Sequence, residues 1–252
     1  MYIDTTGIVL REVAYKESSK ILTVLAGGEG KLTVSAHGAV RRKSKFAAST
    51  QLLAYSEMTL YSRRDRWTLT EARSLEQFIG LRDDIALLSL GAYFAELTEA
   101  AADEDSPSPE LLPLILNALF ALSEKIKPPE IVKPAFELRL MAASGFAPML
   151  GRCAVCGREE PERASLDLSG GTLSCGRCAQ GGGAVLGSGA LSAARYVLSC
   201  DPKKLFSFTL GGPALRELAR AAEGYLLAHL DRRFRTLDYY NGIRNSEFGI
   251  RN

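Results

Sequence analysis

Cys153-Ala154-Val155-Cys156 and Cys175-Gly176-Arg177-Cys178 are two CxxC pairs with 18 residues between them. A CxxC turn can aim two thiolates at one ion, and two such turns complete a tetrahedral four-sulfur site of the kind zinc prefers. Four thiolates close the coordination shell and leave no position for water. Cys153, Cys156, Cys175 and Cys178 are therefore expected to hold one structural Zn2+ per chain, not a catalytic one. The competing assignment is a pair of disulfides, or four unconnected buried thiols. Residues 1–5 lack a basic segment followed by an apolar core and do not read as a signal peptide. A reducing compartment favours metal over disulfide. Between the pairs, Leu166 and Leu168 alternate ahead of Gly170-Gly171, which reads as a zinc-ribbon hairpin. It has too little apolar surface to fold alone, and metal binding of about 10–16 kcal/mol in peptides would supply that stability.

A second set of residues suits polyanions. Arg41, Arg42, Lys43 and Lys45 place four cations in five positions, and Arg63, Arg64 and Arg66 crowd another short segment. Arg11, Lys16 and Lys20 precede them, with Tyr15, Phe46, Tyr61 and Trp67 interleaved. Cations that track phosphates beside rings that stack bases suit sequence-tolerant binding of single strands. The blander assignment for a short basic run is a solvated surface loop. Nothing comparable points to bond-breaking chemistry. His37 lies in the basic run and His229 on an apolar-striped helix, and no GxSxG or HExxH motif occurs. Gly27-Gly28-Glu29-Gly30-Lys31 has Leu25 and Leu32 where a phosphate-binding loop needs Gly and Ser or Thr, so it is a turn. The chain is expected not to be an enzyme.

The elements that must position these groups change type along the chain. Residues 6–13, 21–25, 31–36, 52–61 and 67–70 read as five short strands, with Leu32, Val34 and Ala36 alternating inward. Five strands in about 70 residues suggest a small closed barrel, for which the OB-fold is the commonest nucleic-acid-binding answer. Helical periodicity then takes over in a segment capped by Asp83 and Asp84, with Leu87, Leu90, Phe94 and Leu97 on one stripe. An acidic, proline-bearing linker at 103–109 follows, after which Ser108 is expected to cap a second helix. A third helix over 130–144 should stop at Gly145. Helices resume at about 189–200 and 213–230, Cys200 is left as a buried inert thiol, and 241–252 should fray. The fold class is α+β: an OB-fold barrel over 1–80, then a helical domain over 81–252 interrupted by the zinc ribbon at 150–183.

The 252 residues are 46% apolar and 24% charged, ordinary for a soluble globular chain. No apolar run approaches the roughly 20 residues that span a bilayer, so no membrane partner is expected. The formal charge of +2 is unevenly spread, with 12 Lys/Arg against 8 Asp/Glu in residues 1–80. An anionic partner should meet the N-terminal part first.

Several blocks carry a family resemblance. Gly7-Ile8-Val9-Leu10-Arg11, Tyr15-Lys16-Glu17-Ser18-Ser19-Lys20-Ile21, Gly30-Lys31 and Gly38-Ala39-Val40-Arg41-Arg42-Lys43-Ser44 resemble the bacterial DNA-repair RecO family. Phe136-Glu137-Leu138-Arg139-Leu140, Gly145-Phe146-Ala147-Pro148 and Cys153-Ala154-Val155-Cys156-Gly157 are similar to the same family. The likeness runs through roughly residues 3–200, and Val40 makes the basic run begin one residue late. It implies an OB-fold, a helical C-terminal domain and an embedded zinc site. It also implies a recombination mediator that binds single- and double-stranded DNA and anneals complementary strands. Such a mediator helps load recombinase onto strands coated by single-strand-binding protein. RecR and the acidic C-terminal tail of single-strand-binding protein would be its partners, in the cytoplasm at the nucleoid. Arg11, Arg41, Arg42, Lys43, Lys45, Arg63 and Arg66 are the expected DNA-binding residues. The alternatives are a zinc-ribbon RNA-binding protein and a metal-dependent nucleic-acid hydrolase.

Overall fold

A computed structural model describes residues 1–64, 66–104 and 106–247. Five strands, β1 (Tyr2–Tyr15), β2 (Ser19–Ala26), β3 (Gly30–Ala36), β4 (Tyr55–Arg63) and β5 (Arg66–Glu76), close a barrel in the order β1-β2-β3-β5-β4. The long β1 makes closure possible because it serves two neighbours. Its first half pairs with β4, from Tyr2↔Tyr61 to Ile8↔Tyr55, and its second half with β2, from Gly7↔Ala26 to Tyr15↔Ser19. A register shift between Val9 and Arg11 bends the strand where it changes partner. The parallel pairs Val34↔Trp67 and Ser35↔Thr68 seal the remaining gap. This is the five-stranded OB arrangement.

Alternation in β3 is as expected, with Leu32, Val34 and Ala36 joining Val9, Leu22, Val24, Met58, Leu60 and Leu69 inside the barrel. Strand β1 does not alternate, since Ile8, Val9 and Leu10 are all buried. The helix over Ile85–Ala101 packs against the outside of β1, so both faces are covered there. The fourth strand begins at Tyr55 and not at residue 52, because the chain is still turning at Leu53 (φ 67°).

After the barrel come the short α1 (Ile79–Arg82), then α2 (Ile85–Ala101) and α3 (Leu111–Ser123). Asp84 caps α2 as its side chain accepts from the Ala86 and Leu87 N–H groups. Ser108 is not the cap of α3: its carbonyl accepts from Leu111 N in a preceding turn, and Glu110 occupies the capping position. The acidic linker lies against the β2–β3 turn, where Lys31 N donates to the Asp103 carbonyl. Gly30 (φ 79°) packs so tightly there that a Cβ would stand 2.0 Å from the Ser106 oxygen. The expected fraying of 241–252 is corrected for its first part: a helix spans Arg235–Glu247, and its Leu237 and Tyr240 are buried with Phe234. Thr236 Oγ1 donates to Glu96 of α2 at its start. Residues 248–252 lie outside the described residues.

The chain forms two compact units. Unit one comprises residues 1–124 with the final helix, because α2 packs on both β1 and that helix. Unit two comprises Lys125–Arg233. It holds α4 (Pro129–Ala143), β6 (Arg163–Leu166), β7 (Leu173–Cys175), β8 (Ala184–Gly187), α5 (Ser188–Ser199) and α6 (Gly212–Leu230). The final helix is thus α7. Gly145 (φ 84°) ends α4 as expected, with Phe146 N returning to the Met141 carbonyl. The small sheet runs β7-β6-β8 and packs on α5 and α6 through β6 and β8. No helix among the described residues is long and apolar enough to cross a membrane.

Candidate nucleic-acid interface and metal centre

The basic run leaves β3 and does not form regular structure. Gly38 (φ 73°) reverses the chain, Arg41 N donates to the Gly38 carbonyl and Ser44 N to the Arg41 carbonyl. Ala39 (4% exposed) and Phe46 (7%) both enter the barrel core. Thr50 Oγ1 and N both donate to the Phe46 carbonyl. The run is therefore pinned at both ends by apolar side chains. Arg41, Arg42, Lys43 and Lys45 are exposed between those pins. Phe46, expected among the stacking rings, is instead one of the anchors.

Lys45 Nζ donates to the Thr70 carbonyl of β5, 3.2 Å away, and sits 4.9 Å from the Phe46 ring centroid. The second basic group sits at the β4–β5 turn, where that strand begins. Arg63 pairs with Arg66 across the β4–β5 turn, and Arg64 takes a left-handed conformation (φ 52°) within it. Thr70 lies four positions along β5 from Arg66, about 13 Å at strand rise. The two basic groups thus meet β5 at its start and part-way along it. Arg41, Arg42, Lys43, Lys45, Arg63, Arg64 and Arg66 have no carboxylate partner among the described residues.

Arg11 stands apart from them. Its Nε donates to Glu99 Oε1 of α2 at 2.9 Å and its Nη2 to Thr23 Oγ1 at 3.2 Å. Lys20 is likewise paired with Glu12 and also donates to the Thr50 carbonyl. Of the remaining rings, Trp67 is half-buried against the barrel core, and Tyr15 is exposed with Lys16 Nζ 5.3 Å from its centroid. Tyr61 is packed on Tyr2, which sequence reasoning passed over; their centroids are 4.8 Å apart.

In unit two the four cysteine sulfurs converge to within 4.8 Å of one another, and Cys156 and Cys175 Sγ are 3.7 Å apart. The edge of a tetrahedral zinc–thiolate site is about 3.8 Å for Zn–S bonds of 2.3 Å. Each pair sits in a tight turn. Gly157 (φ 73°) closes the first as its N–H donates to the Cys153 carbonyl, and Cys178 N donates to the Cys175 carbonyl in the second. Cys175 is the last residue of β7, so the hairpin pairing Ala164↔Cys175 fixes its place. Backbone N–H groups of Cys175 and Cys156 aimed at Cys153 pull its thiol down to about 6. The neighbouring Cys175 and Cys156 sulfurs push Cys178 up to about 12. Four thiolates repel one another, and a bound dication is the group that would let all four shed their protons. Donor set, distances and convergence all fit one metal ion.

Arg195 of α5 braces the first turn. Its Nε donates to the Leu150 carbonyl, its Nη2 to the Gly151 and Glu159 carbonyls, and its Nη1 to Glu160 Oε1. No sequence motif marks it. His229 is half-buried, its Nδ1 3.0 Å from the Tyr225 carbonyl and its ring against Tyr225, a satisfied boundary histidine. Cys200, expected to be buried, is only half-buried, and that partial burial pushes its thiol up.

Comparison with known proteins agrees with this architecture. Residues 1–78 match the family described as Recombination protein O N terminal, and residues 82–238 match Recombination protein O C terminal. The chain is 31% identical over 240 residues to a DNA repair protein RecO of Acetivibrio thermocellus, covering 94% of this chain and 96% of that one. It is 32% identical over 246 residues to a DNA repair protein RecO of Symbiobacterium thermophilum, covering 95% and 97%. With both halves matched and the barrel and cysteine cluster in place, the chain belongs to the RecO family of DNA repair and recombination proteins.

Proposed function

We propose that this protein is a non-enzymatic recombination mediator that binds single- and double-stranded DNA and anneals complementary strands. It helps load recombinase onto strands coated by single-strand-binding protein. The observation that carries the reading is the pinned basic run. Ala39 and Phe46 hold the loop down while Arg41, Arg42, Lys43 and Lys45 face solvent without a carboxylate partner among the described residues. Arg63 and Arg66 extend that surface at the β4–β5 turn, whereas Arg11 is assigned to the Glu99 contact. Annealing breaks no bond between atoms of the backbone; it requires that two polyanions approach, which displaced counterions and neutralised phosphates permit. The four cysteines hold a structural Zn2+, since soft thiolates in a closed tetrahedral set favour that metal and leave no coordination position for a reacting water. RecR and the acidic tail of single-strand-binding protein are the protein partners this family reading carries, in the cytoplasm at the nucleoid.

The test is oligonucleotide affinity of the Arg41→Ala/Arg42→Ala/Lys43→Ala variant at several salt concentrations, with a strand-annealing assay beside it. Loss of three phosphate contacts should lower the log–log salt slope by about 2 for single strands. Unchanged affinity in a folded variant overturns the assignment. Tighter binding of RNA than DNA at equal salt would favour the RNA-binding alternative, because the 2′-hydroxyl is the discriminating group.

A further inference from the structure

The outer face of the barrel carries a feature that the basic residues alone do not explain. Tyr2 and Tyr61 are directly paired across β1 and β4, and Tyr61 is paired with Thr68 across β4 and β5. Met58 and Leu60 point into the barrel, so alternation puts Tyr61 and Arg63 outside, with Tyr2 and Arg66 beside them in register. The tyrosine rings touch at 4.8 Å with a 40° tilt, which covers one face of each. Tyr2 nonetheless remains 66% exposed. Ser62 N donates to the Met1 carbonyl at 2.8 Å, so the backbone beside Tyr2 is tied to β4, and the Tyr2 ring rests on Tyr61.

We propose that Tyr2, backed by Tyr61, is a stacking platform for an unpaired base of single-stranded DNA whose flanking phosphates are held by Arg63 and Arg66. The proposal rests on the DNA-binding reading above. A cross-strand aromatic pair can serve sheet stability alone, at about 0.2–1 kcal/mol. That role does not call for an open ring face beside exposed arginines that lack a carboxylate partner among the described residues. Charge complementarity selects a polyanion, and an exposed π-face selects one whose bases are unstacked. Duplex DNA offers the same phosphates but no free base face. The platform therefore separates single from double strands, while the run at Arg41–Lys45 serves both.

The experiment uses the full chain with any tag at the C-terminus. Binding of oligo-dT and of a duplex of equal length is titrated at two or more salt concentrations for Tyr2→Ala, Tyr2→Leu and Tyr2→Trp. Tyr2→Ala should weaken single-strand binding by roughly 5- to 100-fold. Duplex binding and the salt slope should stay as in the wild type, because no phosphate contact is removed. Tyr2→Trp should bind at least as well as wild type. If Tyr2→Ala does not fold, Tyr2→Leu keeps the apolar bulk without the π-face and should show the same single-strand loss. Equal weakening of both DNA forms, or none in either, overturns the platform. The Arg41→Ala/Arg42→Ala/Lys43→Ala variant run in parallel tells the two ideas apart: its loss with Tyr2→Ala unchanged leaves DNA binding standing and removes only the platform.

Discussion

The Arg195 guanidinium donates to the Leu150 carbonyl oxygen across 2.8 Å, tying α5 to the turn that presents Cys153 and Cys156. With the further bonds to Gly151, Glu159 and Glu160, one side chain satisfies three backbone carbonyls and a carboxylate around that turn. Groups behind metal ligands matter because they fix the ligands' orientation, and removing one typically costs 10- to 100-fold, about 1.4–2.8 kcal/mol, in metal affinity. Arg195→Ala should therefore release zinc to a chromophoric chelator at least about tenfold more readily. Arg195→Lys should behave similarly, since an ammonium cannot fork across several acceptors. Equal metal retention in both variants would show that the turn holds its shape unaided.

Arg11 tests the division between structural and DNA-facing cations. Its pairing with Glu99 leaves its own side chain 58% exposed, so the contact belongs to the weak class of surface ion pairs, worth about 0–1 kcal/mol. Arg11→Ala should melt within a few degrees of wild type and keep the wild-type salt slope for DNA. A slope reduction matching that of a substitution at Arg42 would return Arg11 to the DNA surface.

What could be read from the sequence and what could not divide on physical grounds. The alternation of Leu32, Val34 and Ala36, the cap at Asp84, the stop at Gly145 and the two CxxC turns are local signals, each set by residues within a few positions. Phe46 and Tyr2 needed the third dimension. A ring beside cations looks the same in sequence whether it stacks on a ligand or plugs a core, and Phe46 plugs the core. Tyr2 acquires its meaning only from the register that sets it opposite Tyr61. The final helix was missed because its composition is mainly polar, and its order comes from Phe234, Leu237 and Tyr240 packing within unit one. Arg195 belongs to no motif, since backbone carbonyls leave no residue signature.

Metal removal should affect the two units unequally. The purified chain should carry one zinc per chain by elemental analysis, and Cys156→Ser should lower that occupancy. Chelation should loosen unit two, seen as lost ellipticity and a lower melting temperature, because ribbon folding draws on metal binding. The sole tryptophan, Trp67, packs against the barrel core and reports on unit one. Its emission should stay unchanged after chelation. A red shift in step with the loss of ellipticity would mean that the barrel depends on the metal as well.

Lys133 offers a pH-dependent test of unit two. It is buried on α4, with its Nζ 2.6 Å from Glu137 Oε1 one turn on and 2.6 Å from Glu223 Oε2 of α6. Burial pulls its pKa down, but the Glu137 and Glu223 carboxylates outweigh that and hold it above the ordinary 10.5. A folded-state value above the unfolded one means that the stabilisation is complete below pH 10.5 and fades as pH rises through the folded value. Lys133→Met should cost about 3–5 kcal/mol at neutral pH, because it leaves the fully buried Glu137 without its ammonium partner. Urea unfolding at pH 7.5 and pH 9 should give the same gap between wild type and variant, and above 10.5 the gap should narrow. Adding Glu137→Leu to Lys133→Met should recover much of the loss, since a buried ion pair replaced by apolar groups of similar volume is often neutral. A gap that is constant to high pH, or a Lys133→Met variant as stable as wild type, would mean that α4 and α6 are held together by their apolar contacts alone.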